Sequence, residues 1–145
     1  MGLDMFLRKK TYIGGNYEHN KITGSIDLYR DGKKINIDLS KVVEIEEEGI
    51  YWRKANAIHA WFVDNVQDGE DECNEYYVSY EKLKELRDLC LKVIKEKKPE
   101  LLAPRSGFFF GSTEPDEYYY NELQRTADEI EKLNEGDSYY YQSSW

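Results

Sequence analysis

The residues best suited to chemistry fall in one run, YWRKANAIHAWF at 51–62. Read as a helix at about 100° per residue, the run sets Trp52, Asn56, His59 and Val63 on one stripe, with Arg53 and Ala60 at its outer margin. An aromatic surface, hydrogen-bonding groups and a cation then share a face, and Ala57 and Ala60 are small enough to allow close approach. That composition suits a planar or anionic ligand, which makes Trp52, Arg53, Asn56 and His59 the candidate binding residues. The competing reading is architectural: Asn56 and His59 satisfy buried backbone groups, and Arg53 pairs with an acid.

A second segment, PRSGFFFGSTEPDEYYY at 104–120, leads into a helix start where free N–H groups attract anions. Glu114, Asp116 and Glu117 place negative charge at the same spot, so capping by Thr113 and Asp116 accounts for the pattern, with Pro115 suited to the first turn. Asp116 also falls on the inward stripe of that helix, where it could meet Arg53 or His59; His59 with Asp116 is the minimal pair for general acid–base work in a small hydrolase. A third segment, DNVQDGEDECNE at 64–75, aligns Asp64, Asp68, Gly69 and Glu75 with a calcium loop, making Asp64, Asp68 and Glu75 the metal alternative. Val66 stands where a second oxygen ligand belongs, and the following Tyr76-Tyr77-Val78 reads as a strand, so a solvated acidic loop is the simpler account. Phosphate loop, nucleophile elbow and dinucleotide fingerprint are all absent from the sequence, and no cofactor is expected.

These segments need elements to position them. Asp31-Gly32 marks a hairpin that would pair Leu28 with Ile35, Ile26 with Ile37 and Gly24 with Leu39, leaving one apolar face. Residues 3–8 and 41–47 are further strand candidates. From Tyr51 the apolar spacing turns helical, through Ala55, Ile58, Phe62 and Val66. A second helix should start after Ser79 and run to about Lys97, turning Leu83, Leu86, Cys90 and Val93 inward, with Pro99 ending it. The third should follow residues 111–115 and align Tyr119, Leu123, Ala127, Ile130 and Asn134. Phe108–Phe110 reads as a buried strand or ordered loop. The tail at 138–145, with Tyr139–Tyr141 and Trp145, is too aromatic to be solvated and should dock on the chain or on a neighbouring copy, which suggests a homo-oligomer.

The expected architecture is one α+β domain over 1–145: an antiparallel sheet mainly from the N-terminal half, packed by about three helices. Its expected core is Ile26, Leu28, Ile35, Ile37, Ile58, Phe62, Leu83, Leu86, Leu123 and Ile130. Net charge is −9, divided as −1 over residues 1–50, −2 over 51–100 and −6 over 101–145. An acidic chain repels phosphate backbones, so general nucleic-acid binding is not expected. Cys73 and Cys90 stand 17 residues apart with only two histidines in the chain, which excludes a structural zinc pattern. The opening MGLDMFLRKK lacks the apolar stretch of a signal peptide and no long apolar run occurs, so the expectation is a cytoplasmic protein without membrane contact.

With the opening MGLDMFLRKKTYIGG, the segments YWRKANAIHAWF and SGFFFGSTEPDEYYY resemble a family of small uncharacterised proteins of bacteriophage and bacterial (prophage) genomes. The likeness spans almost the whole chain and carries no catalytic residues with it. It implies a setting, a phage or prophage accessory protein in the bacterial host cytoplasm, where proteins of this size often bind host factors or sequester small nucleotide signals of defence systems; the first expectation is a non-enzymatic protein that binds a small, nucleotide-like ligand. Two other classes stay open beside that non-enzymatic reading, an acidic protein inhibitor of a host factor and the hydrolase built on His59 and Asp116.

Overall fold

The computed structural model describes residues 2–15, 17–107 and 111–145. Its centre is a four-stranded antiparallel sheet. β1 (Asp4–Tyr12) lies between β4 (Glu44–Arg53) and β6 (Ser138–Ser144), and β5 (Tyr76–Val78) closes the far edge, in the order β4-β1-β6-β5. Alternation along β1 decides the faces: Leu3, Met5 and Leu7 are buried, whereas Phe6 and Arg8 are not. Helices α1 (Asn56–Asn65), α2 (Tyr80–Glu96) and α3 (Glu117–Glu131) cover the buried face, and their Ile58, Phe62, Leu83, Leu86, Val93, Leu123 and Ile130 join it in one core. The α+β expectation therefore holds, with the two longest strands drawn from the N-terminal half.

Capping fixes where the long helices begin. The Ser79 hydroxyl accepts from the Lys82 N–H, and α2 turns Leu83, Leu86, Cys90 and Val93 inward as their spacing requires. Burial pushes the Cys90 thiol up to about 12, so it acts as a small hydrophobe. Asp116 caps α3 by accepting from the Tyr119 N–H at 3.0 Å, which leaves Pro115 outside the helix instead of in its first turn. Tyr119, Leu123, Ala127 and Ile130 are buried, while Asn134 lies beyond the helix end and meets the Tyr139 hydroxyl.

Two expectations need correction. The hairpin at 22–39 forms with Leu28 opposite Ile35, but only as the short pair β2 (Leu28–Arg30) and β3 (Lys33–Ile35), separate from the main sheet. No described residue between 15 and 43 is buried, so Ile26, Leu28, Ile35 and Ile37 are not core; Leu28 is 48% exposed. Of the expected pairs only Leu28 with Ile35 forms, Ile26 with Ile37 and Gly24 with Leu39 do not, and alternation cannot say what lies opposite an apolar face. Second, residues 51–53 remain extended as the end of β4 because their backbone pairs with Asp4–Phe6, so the helix begins at Asn56 and Tyr51 faces outward. The tail takes the first of its two expected dockings, on its own chain, as an interior strand: β6 pairs on both sides, with Tyr139 and Tyr141 in the core. Most of the aromatic surface that suggested an oligomer is consumed within the chain. Phe108–Phe110 lies outside the described residues.

Candidate functional site

Period-two alternation in β4 separates residues that a helical reading had put together. Trp52 points inward and is fully buried; its Nε1–H donates to Thr126 Oγ1 at 2.8 Å, and its ring packs edge-on against Phe62. It cannot stack on a ligand. Arg53, next in the strand, points outward and is exposed. Lys54 then reverses the chain with φ of +54°, a left-handed conformation that a lysine adopts at a cost of about 1–2 kcal/mol. Its N–H is held by the Leu3 carbonyl at 2.7 Å. Glycines make room for this turn: a Cβ on Gly2 would come within 3.2 Å of Lys54 Cε, and one on Gly111 within 3.3 Å of Lys54 Cβ.

The turn feeds directly into α1, whose cap residue Ala55 has no side chain able to close the helix end. Among the described residues, the N–H groups of Ala57 and Ile58 have no protein acceptor. Asn56 is buried, and its Nδ2 donates to the Ser112 carbonyl at 2.6 Å, tying the start of α1 to the chain entering α3. From the other side, the Tyr118 hydroxyl donates to the Arg53 carbonyl and the Arg125 guanidinium to the Tyr51 carbonyl. These two bonds from α3 occupy outward carbonyls of the edge strand β4 and fix the helix beside it.

Between these walls lies a cleft of about 470 Å³, lined by Arg53, Lys54, Asn56, Ala57 and Ile58 on one side and by Ser112, Glu114, Asp116, Tyr118, Tyr119 and Glu122 on the other. Small-molecule sites occupy about 300–1,000 Å³, so its size is appropriate. Its charge is divided. Neither Arg53 nor Lys54 has a carboxylate within ion-pair distance among the described residues, whereas Glu122 is matched by Arg125 at 3.0 Å and Asp116 is engaged in its cap. Glu114 remains as an acid on the α3 side. Burial and the nearby Glu122 hold the Tyr118 hydroxyl above its ordinary pKa, keeping it a donor.

His59 lies apart from this cleft. It is 1% exposed, with Nδ1 2.7 Å from the Tyr141 hydroxyl and Nε2 2.9 Å from an Asp71 oxygen. A carboxylate only accepts, so Nε2 carries the proton and Tyr141 donates to Nδ1. Burial lowers the imidazole pKa and Asp71 partly opposes it. The proposed His59–Asp116 pair is therefore not assembled: His59 is committed to Asp71 and Tyr141, and Asp116 to the α3 cap. Nor do the calcium-loop residues converge. Asp64 pairs with Arg105 at 2.6 Å, Glu75 pairs with Lys10, and no group of three metal-ligating side chains comes together among the described residues. Of the four candidate binding residues, Arg53 and Asn56 line the cleft, while Trp52 and His59 belong to the core.

Lys54, Ser112, Glu114 and Tyr118 were missed as site residues. Their signal was membership of the two segments already singled out, since the cleft is where residues 53–58 face residues 111–123. No family model matches the chain, and comparison with curated proteins and with solved structures finds no match either. What fold and site define by themselves is an α+β protein with a mixed-charge cleft at a strand-to-helix turn. Among the described residues, no helix is long and apolar enough to cross a membrane.

Proposed function

We propose that the protein binds a small anionic, ring-bearing molecule of nucleotide-like chemistry in this cleft, without catalysing a reaction on it. The observation that carries the reading is the pair Arg53 and Lys54, without a carboxylate partner among the described residues, beside the N-terminus of α1. A phosphate or carboxylate there would gain two charge-assisted partners together with the N–H groups of Ala57 and Ile58. Glu114 opposite can accept from hydroxyl or amino groups, and Tyr118 offers a ring and a donor. Cations on one wall and an acceptor on the other favour a ligand that is anionic at one end and a hydrogen-bond donor at the other.

The likeness of motifs to phage and prophage proteins supports a role in the bacterial cytoplasm, such as sequestering a nucleotide signal of host defence. An inhibitor working through the acidic C-terminal third would need no cleft, which is why ligand binding stands first. Mass spectrometry of small molecules released on denaturing the purified protein tests the reading. An anionic compound should accompany the wild type and be lost from Arg53→Ala; equal retention by both would refute the site.

A further inference from the structure

The segment between β1 and β4 projects as an arm that the chain itself does not use. No described residue from 15 to 43 is buried, and β2 pairs with β3 alone. An isolated two-stranded hairpin is marginal in water unless something covers a face. This one sets Leu28 opposite Ile35, with Ile26 and Ile37 flanking the two strands and Ile37 still 38% exposed. The main sheet has an uncovered side as well. Opposite its helices lie two aromatic pairs, Phe6 with Tyr51 at 5.4 Å and Tyr77 with Tyr140 at 5.7 Å, with the Arg8 guanidinium over the Phe6 ring and the Lys10 ammonium over the Tyr140 ring. Tyr51 is 39% and Tyr77 61% exposed, so the arm of the same chain leaves this face open.

We propose that the occupant of each surface is the other surface on a second copy of this chain, the arm of one protomer lying across the open sheet face of its partner. Charge points the same way. Residues 13–43 hold five Lys and Arg against four Asp and Glu, a balance of +1 in a chain of −9. Arg30 and Lys33 at the arm's tip have no ion-pair partner among the described residues; nor do Glu44 and Glu48 on β4, the strand that borders the aromatic face. A two-fold axis satisfies both contacts at once, because each copy brings one arm and one face. A polyanion such as nucleic acid would find the same basic tip but would meet a strongly acidic body behind it.

The proposal is independent of the cleft, and its test needs no ligand. Sedimentation of the full chain should give twice the mass of one chain at tens of micromolar. Leu28→Asp, outside the core, and Tyr77→Asp, on the open face, should each weaken the dimer at least tenfold while leaving the unfolding transition of the domain cooperative. Zero-length carbodiimide cross-linking of a mixture of isotopically light and heavy protein should then join an arm lysine, Lys33 or Lys41, to Glu44 or Glu48 of the other isotope. A monomer at every concentration, a dimer that both substitutions leave intact, or inter-copy links confined to arm with arm would each overturn the proposal.

Discussion

Trp52 and Arg53 are neighbours in sequence with opposite fates, and their substitutions should separate folding from binding. Trp52→Phe removes the Nε1 donor to Thr126 and opens space among buried rings, which should cost about 1–3 kcal/mol in denaturant unfolding while leaving the cleft's affinity intact. Arg53→Ala should stay within about 0.5 kcal/mol of wild type and abolish ligand retention, since its side chain is exposed and ion-paired with nothing among the described residues. Lys54→Gly extends the contrast: relieving a left-handed lysine should hold stability level or raise it by up to about 1 kcal/mol, while binding weakens. A loss of stability there would mean that the lysine side chain is a structural brace. His59 gives a pH signature. Burial holds its folded pKa below the ordinary 6.5, so the unfolded chain takes up its proton first, and stability should fall as pH drops from 6.5 toward the folded pKa. Replacing His59 with Gln should flatten that limb of a pH series of melting curves. At this scale the segment singled out in the sequence sends Arg53 and Asn56 to the cleft and Trp52 and His59 to the core, so its faces were mixed. Counting Tyr51–Arg53 as helix assigned Trp52 to a ligand, because nothing in a single sequence reveals that Asp4–Phe6 will pair with those residues and hold them extended.

Elements were legible where their ends carry local chemistry. Ser79 and Asp116 announced α2 and α3 because a side-chain oxygen can satisfy an exposed N–H without help from elsewhere in the chain. Strand membership depends on distant partners, and there the reading failed in both directions. The hairpin with the cleanest alternation, Leu28 against Ile35, proved peripheral, and the aromatic tail became an interior strand. Two deletions should reproduce this inversion. Removing 138–145 takes away the strand between β1 and β5 together with buried Tyr139 and Tyr141, and should abolish cooperative melting. Replacing 17–41 by a short Asn-Gly turn should barely move the melting temperature of the body relative to the monomeric full chain at high dilution, because the arm's base is already closed by bonds from the Ile13 and Gly14 N–H groups to the Val43 carbonyl. The run of Glu44 and Glu46–Glu48, ambiguous between helix and strand in sequence, has a use on β4: charged residues discourage pairing along an edge strand whose far end α3 already guards.

Across the whole molecule, residues 53–58 and 111–123 have no local reason to share unusual residue types, and the fold brings them to one cleft. Their convergence could not be read beforehand, because it requires the order β4-β1 and the packing of α3 against the edge, both long-range outcomes. The acidity of the chain shapes what can enter: a body of net −9 repels large polyanions, while a local Arg53–Lys54 pair still attracts a small one that displaces little of the remaining charge. Amide chemical shifts of the isotopically labelled protein, titrated with adenosine 5′-monophosphate and in parallel with adenosine, test this account most directly. The account predicts saturable shifts concentrated at Arg53–Ile58 and Ser112–Tyr119 with the phosphate-bearing probe, and much weaker ones with the nucleoside. Shifts scattered over the acidic face of α3, or none at the start of α1 with either probe, would contradict it.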